Sequence, residues 1–124
     1  MVFLDTHIVA WLYDNKMKFL SKKAIETLEK EELFISPLVI LELEYLYEIK
    51  KIKVRAHTII EFLVKNIALK IDNTNLLDII NMAIKETWTR DPFDRLIVAQ
   101  AKYNDAQIIS KDEKIRQNYP KSIF

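Results

Sequence analysis

Four short runs rich in β-branched and aromatic residues, "VFLD", "LFIS", "ALKID" and "AQIIS", are separated by stretches whose apolar residues recur at helical spacing. Strand-length runs alternating with helices leave few options, because parallel neighbours need a crossover and a parallel sheet needs cover on both faces. The pattern predicts an α/β fold in three layers, α/β/α, with a central, mainly parallel sheet of about four to five short strands. At 124 residues, half of them hydrophobic, the chain suits one domain over 1–124 with its own core.

The helical stretches carry their own start signals. "THIVAWLYD" spaces Ile8, Val9, Trp11 and Leu12 as one apolar stripe. Ser21 is placed to cap "SKKAIETLEKEE", a helix with an apolar stripe of Ala24, Ile25 and Leu28. Ser36-Pro37 supplies a cap and a first-turn proline for "PLVILELEYLYEIKKI". "VRAHTIIEFLVKN" and "NTNLLDIINMAIKE", the latter capped near Asn73 to Asn75, follow. Asp91-Pro92 then opens "RDPFDRLIVAQA", and "KDEKIRQNYPKSIF" reads as a short helix and a tail.

Glycine is absent. That excludes the phosphate-cradling loops of nucleotide sites, which need glycine for close backbone approach. It also leaves Asn, as around Asn104 in "YND", to take left-handed positions at helix ends. Cysteine is absent too, which excludes disulfides, thiolate metal ligands and a cysteine nucleophile, and fits a cytoplasmic setting. Nineteen basic against eighteen acidic side chains leave a net charge of +1, so no global footprint for nucleic acid appears. No leader pattern and no apolar run near the roughly 20 residues of a membrane span are present, so a soluble protein is expected.

Four acids fall at related places in these elements. Asp5 ends the first strand, Asp112 follows "AQIIS", Glu42 lies in the second turn after "LFIS", and Asp94 lies in the first turn of "PFDRLIVAQA". In a parallel sheet, strand C-termini and the following helix N-termini share one edge, where open α/β sheets bind ligands. Asp5 and Asp112 read equally as helix caps; Asp91 and Asp94, before and after a proline, read as cap and capping-box acid. Carboxylates gathered at one partly dry rim repel unless a cation lies between them. Oxygen donors without Cys suit Mg²⁺ or Mn²⁺, ions that polarise phosphoryl groups and lower the pKa of bound water. Phosphodiester hydrolysis is the expected reaction class.

"FLDTHIVAWL", "LFISPLVILELEYL", "RDPFDRLIVAQA" and "AQIISKDEKIRQNY" together make the chain resemble PIN-domain nucleases, most closely the VapC-type toxins of toxin–antitoxin pairs. The pieces come in the family's order and cover all but the helical middle, about residues 50–75. The resemblance implies a PIN-like fold and a Mg²⁺- or Mn²⁺-dependent endoribonuclease leaving a 5′-phosphate and a 3′-hydroxyl. It implies metal ligands at Asp5, Glu42 and Asp94, with Asp112 as a weaker or second-metal ligand. Ser110 and Thr6 match the family's hydroxyl residues, and Asp91 an additional acid of one subgroup. Glu44 is a nearby rival for Glu42, which the spacing from Ser36 favours. Two departures stand out: Thr89 replaces a frequent His before "RDPFDR", and Asn accommodates a lost glycine in "YNDAQ".

The resemblance also implies an RNA substrate, a homodimer and a VapB-type antitoxin that blocks the acidic site, with "VILELEYLYEIKKI" and the early helices as docking surfaces. Arg90, Arg95 and Lys111 are candidate phosphate partners or ordinary surface charges, and Arg95 beside Asp94 a partner for an acid. His7 either approaches the substrate or serves the turn after the strand. Trp11, Tyr13, Tyr45 and Tyr47 read as core or interface before base stacking. Other readings are a non-catalytic PIN-fold binding module, a housekeeping PIN ribonuclease without antitoxin, and a phosphohydrolase with Asp5 as covalent nucleophile. The last needs a second acid where His7 stands.

Overall fold

The computed structural model describes residues 1–124 and turns the run "VFL" into a central strand, β1 (Val2–Leu4), with all three side chains wholly buried. Successive side chains of a strand point to opposite faces, so a strand buried at every position has both faces covered. The remaining elements follow as α1 (Thr6–Tyr13), a 3₁₀ turn (Met17–Phe19), α2 (Lys22–Lys30), β2 (Leu33–Ile35), α3 (Pro37–Glu48) and α4 (Ala56–Ile67). Then come β3 (Lys70–Ile71), α5 (Leu76–Ala83), α6 (Pro92–Tyr103), β4 (Gln107–Ile109), α7 (Glu113–Asn118) and β5 (Ser122–Ile123). The expected three-layer α/β/α architecture is the observed one.

The sheet has five strands in the order β3-β2-β1-β4-β5, and every pairing is parallel. The chain therefore builds outward from β1 on one side through β2 and β3, then returns to the other side of β1 for β4 and β5. This reversal places a topological switch point between β1 and β4, where the loops leaving adjacent strands part in opposite directions. β5 lies in what reads by sequence as a tail. Its two residues, after Pro120, are too few to show a period, and pairing with Ile108 and Ile109 holds them.

The caps fall where the sequence places them: Ser21 accepts from the Ala24 amide, Ser36 from Leu38, Asn75 from Asp78 and Asp91 from Phe93 and Asp94. The expectation about left-handed residues is corrected. Asn104 has φ −89°, and the left-handed positions are Asn15, Lys50, Ala68 and Asp105, at φ 55°, 64°, 55° and 51°. Only one of these is Asn, so side chains with a steric penalty there take the places glycine would fill. One polar residue inside the apolar run of α6 is also structural. Gln100 donates to both the backbone and the carboxylate of Asp72, bracing α6 against the end of β3.

Candidate active site

The switch point is lined by acids. A cavity of about 400 Å³ opens at the C-terminal edge of the sheet, lined by Asp5, His7, Glu42, Asp91, Asp94, Lys111 and Asp112, with no hydrophobic wall. β1 and β4 deliver Asp5 and Asp112, α3 delivers Glu42, and the first turn of α6 delivers Asp91 and Asp94. All four acids of the expected set converge, and Asp91 joins them.

Asp5 is 4 % exposed and is fixed at both oxygens: the Thr6 amide donates to Oδ1 at 2.8 Å and the Ser110 hydroxyl to Oδ2 at 2.6 Å. Burial pushes its pKa up against those two donors and His7, and Asp112 adds to the rise. Ser110 also accepts from the Asp112 amide at 3.0 Å, so one hydroxyl links the two strand ends. The Thr6 hydroxyl donates to Glu42 Oε1 across the cavity wall. Partial burial raises the Glu42 pKa, opposed by that bond and reinforced by Asp5 and Asp91.

The choice between cap and cavity residue dissolves at several positions, because a carboxylate has two oxygens. Asp112 Oδ1 accepts from the Lys114 and Ile115 amides, and Asp91 Oδ1 from the Phe93 and Asp94 amides at 2.8 and 3.3 Å. In both residues Oδ2 takes no part in the cap. Asp94 differs: it caps nothing, no protein donor reaches its carboxylate and no cation pairs with it. Burial and the charges of Asp91, Asp5, Asp112 and Glu42, in that order, push its pKa up to about 7. A carboxyl raised this far by its neighbours is one whose neighbours need neutralising.

The donor set is all oxygen and partly dry, which fits a hard divalent cation. As they stand, no three His, Asp or Glu side chains are drawn together tightly enough to hold an ion. Glu44, the rival of Glu42, accepts from Arg55 at 3.1 and 2.6 Å and caps the Ala56 amide, so it belongs to the start of α4.

Other expectations need correction. Arg95 pairs with no acid; its guanidinium donates to the carbonyls of Ala83 and Ile84 and closes the C-terminus of α5. His7 lines the cavity, partly open to solvent and without a hydrogen bond, so it does not serve the turn. Partial burial and Lys111 lower its pKa, against Asp5 and Asp112. Tyr13, Tyr45 and Tyr47 are engaged elsewhere, with Phe62, Phe93 and Arg55 respectively. Lys111 lies on the cavity wall with its ammonium 5.3 Å from the centre of the Trp11 ring.

The family model for the PIN domain matches residues 2–119. No curated protein matches the chain in sequence. Among solved structures, a chain of a toxin–antitoxin complex from Klebsiella pneumoniae is similar with a TM-score of 0.68 and 17% identity, over 100% of this chain and 97% of that one. A chain of VapBC2 from Rickettsia felis, bound to a DNA fragment from its promoter, gives 0.65 and 16%, over 94% of this chain and 92% of that one. At these identities the likeness is one of fold.

Proposed function

The chain belongs to the PIN-domain family, and from that premise we propose that it is a VapC-type endoribonuclease dependent on Mg²⁺ or Mn²⁺, the toxin of a toxin–antitoxin pair. The observation that carries the reading is Asp94, a carboxylate with no partner of its own, raised to about 7 among four other acids. Asp5, Glu42 and Asp94 would hold the cation, with Asp112 as a weaker or second-metal ligand. A divalent cation bound there would polarise the scissile phosphate and lower the pKa of water.

The side chains around the cavity do the rest. Ser110 and the Thr6 amide fix both oxygens of Asp5, so its orientation is set before any ligand arrives. The Thr6 hydroxyl holds Glu42 in the same way. Asp91 aims the first turn of α6, and therefore Asp94, through its cap. Asp91 lines the cavity as well, in a supporting role.

A non-catalytic module would keep the acids only as caps. Asp5, Asp91 and Asp112 suit that reading, but Glu42 and Asp94 cap nothing and have no structural partner to explain their burial beyond Thr6. A housekeeping ribonuclease would share the site and differ only in lacking an antitoxin. We take the toxin reading because the two similar structures named above are a toxin–antitoxin complex and VapBC2. A homodimer and a VapB-type antitoxin belong to the same proposal, as does a cytoplasmic location. Leu41 and Tyr45 on α3 and Ile49 at its C-cap, exposed at intervals of four, support a protein-binding face there.

Purified protein incubated with end-labelled RNA tests the reading. Cleavage with Mn²⁺ that stops on chelation and leaves a 5′-phosphate is the expected outcome. Intact RNA under both conditions rejects it.

A further inference from the structure

An acidic cavity repels the polyanion it is proposed to cut, so something beside it must hold the strand. One cation–aromatic contact stands on the cavity wall, at Lys111, and two more are joined to it through the Trp11 ring. Lys111 lies over Trp11 at 5.3 Å, Lys18 over Phe19 at 5.4 Å and Arg116 over Phe124 at 5.4 Å. The rings themselves touch: Trp11 is 5.4 Å from Phe19 and 6.3 Å from Phe124 between centroids. Arg116 also donates to the Lys111 carbonyl at 3.3 Å, which ties its position to the cavity wall. The six residues form one ribbon, from the cavity at Lys111 outward to Phe19 and Phe124.

None of the three cations takes part in an ion pair, although the chain forms six elsewhere. All three are exposed, and Phe19 has 48 % of its surface open. A cation over a ring is held in place without being neutralised, for about 0.5–1 kcal/mol at an exposed site. That contact is readily exchanged for a phosphate, which frees the ring face for a base.

We propose that this ribbon binds the single-stranded flank of the RNA substrate, with phosphates on Lys111, Lys18 and Arg116 and a base stacked on Phe19. The assignment rests on the nuclease reading of the acidic cavity. Aromatic rings interleaved with unpaired cations favour a single strand over a duplex, whose bases are not available to stack.

The test is binding in chelator, where no cleavage enters the measurement. A fluorescent 12-nucleotide uridine strand is titrated with wild-type protein, with Lys18→Glu/Arg116→Glu, with Phe19→Ala and with Lys50→Glu/Lys65→Glu. The last pair carries the same charge change on exposed lysines outside the ribbon. Expected are a loss of about tenfold or more for the ribbon pair, with a salt slope shallower by about 0.7 per phosphate lost. Phe19→Ala should lose roughly fivefold or more, and the control pair under about threefold. Melting curves matching wild type show that the variants fold. Wild-type affinity in both ribbon variants overturns the proposal and leaves the ribbon to a protein partner. Equal losses in the control pair overturn it as well, because generic charge then explains the binding. An absence of cleavage with the ribbon losses intact would reject the nuclease and keep the strand-binding surface.

Discussion

The larger cavity of the molecule, about 560 Å³, lies where α1, α2 and α4 meet, with Leu12, Met17, Leu28, Phe62, Leu63 and Ile67 in its wall. The acidic cavity is smaller, at about 400 Å³, and has no apolar lining. Both have acids at their edges, and Glu31 and Glu32 at the first behave in the opposite way to those at the second. At the apolar cleft Glu31 pairs with the N-terminal amine at 2.8 Å and Glu32 with Lys70, which lowers the Glu32 pKa. At the other cavity no acid takes part in an ion pair, and Asp5, Glu42 and Asp94 are all raised. Volume and apolar area mark where something can pack. Charges left uncompensated mark where folding has been held to an arrangement it does not favour by itself, and that is the more specific sign of chemistry.

The acidic cavity depends most on Asp94. Asp94→Asn should reduce Mn²⁺-dependent RNA cleavage on the order of 10²–10³-fold, because a charged ligand is removed while shape is kept. It should also raise the melting temperature of the metal-free protein, because a repelling charge goes with it. Full activity in the purified variant would sink the site. The apolar cleft should respond in stability alone. Leu63, 1 % exposed at its floor, should cost about 2–5 kcal/mol as Leu63→Ala. Phe62, 47 % exposed beside it, should cost under about 1 kcal/mol as Phe62→Ala. Denaturant titration separates the two, and equal losses would show that the cleft has no distinct floor.

Acidity offers a subtler contrast. Between the ordinary carboxyl value of 3.8 and about 7, folded Asp94 holds a proton that the unfolded chain has released. The folded state binds more protons in that window, so stability falls as pH rises through it and levels off above. Asp5 and Glu42, also raised, act with the same sign. Discounted for the solvent reaching Asp94, the fall is about 1–2 kcal/mol. The metal-free protein should therefore melt several degrees higher at pH 5 than at pH 8. Mn²⁺ should recover the difference at pH 8. A flat profile without metal would mean that the carboxylates do not oppose one another.

The layers and the site were legible from the sequence for different reasons. Strands such as "VFL" and "LFI" are bounded by Asp5 and Ser36, residues whose caps fix where each helix begins, so the rim could be placed from local chemistry. Whether Asp5 or Asp112 capped or faced the cavity could not be read, because each side chain does both. Arg95 misled by adjacency: next to Asp94 in sequence, it points to the end of α5, a contact set by packing over 11 and 12 residues. The ribbon of Trp11, Phe19 and Phe124 was hidden for the same reason. Phe124 joins Trp11 and Phe19 only when β5 pairs beside β4, and β5 itself carried no period.

The smallest effect concerns Ala68, which lines the apolar cleft at the end of α4 with φ 55° and ψ 35°. Its amide donates back to the Leu63 carbonyl side of the last turn, so the left-handed residue closes the helix and turns the chain into β3. Alanine bears a Cβ penalty of roughly 1–2 kcal/mol in that region, which glycine lacks. Glycine also makes the unfolded chain more flexible, which cancels part of the gain. Ala68→Gly should therefore stabilise by about 0.5–1 kcal/mol, read as a higher denaturant midpoint, and leave cleavage unchanged. The acidic cavity has no equivalent gain from a backbone change, since its cost lies in charge. A loss of stability on Ala68→Gly would show that the methyl group packs in the cleft and outweighs the strain.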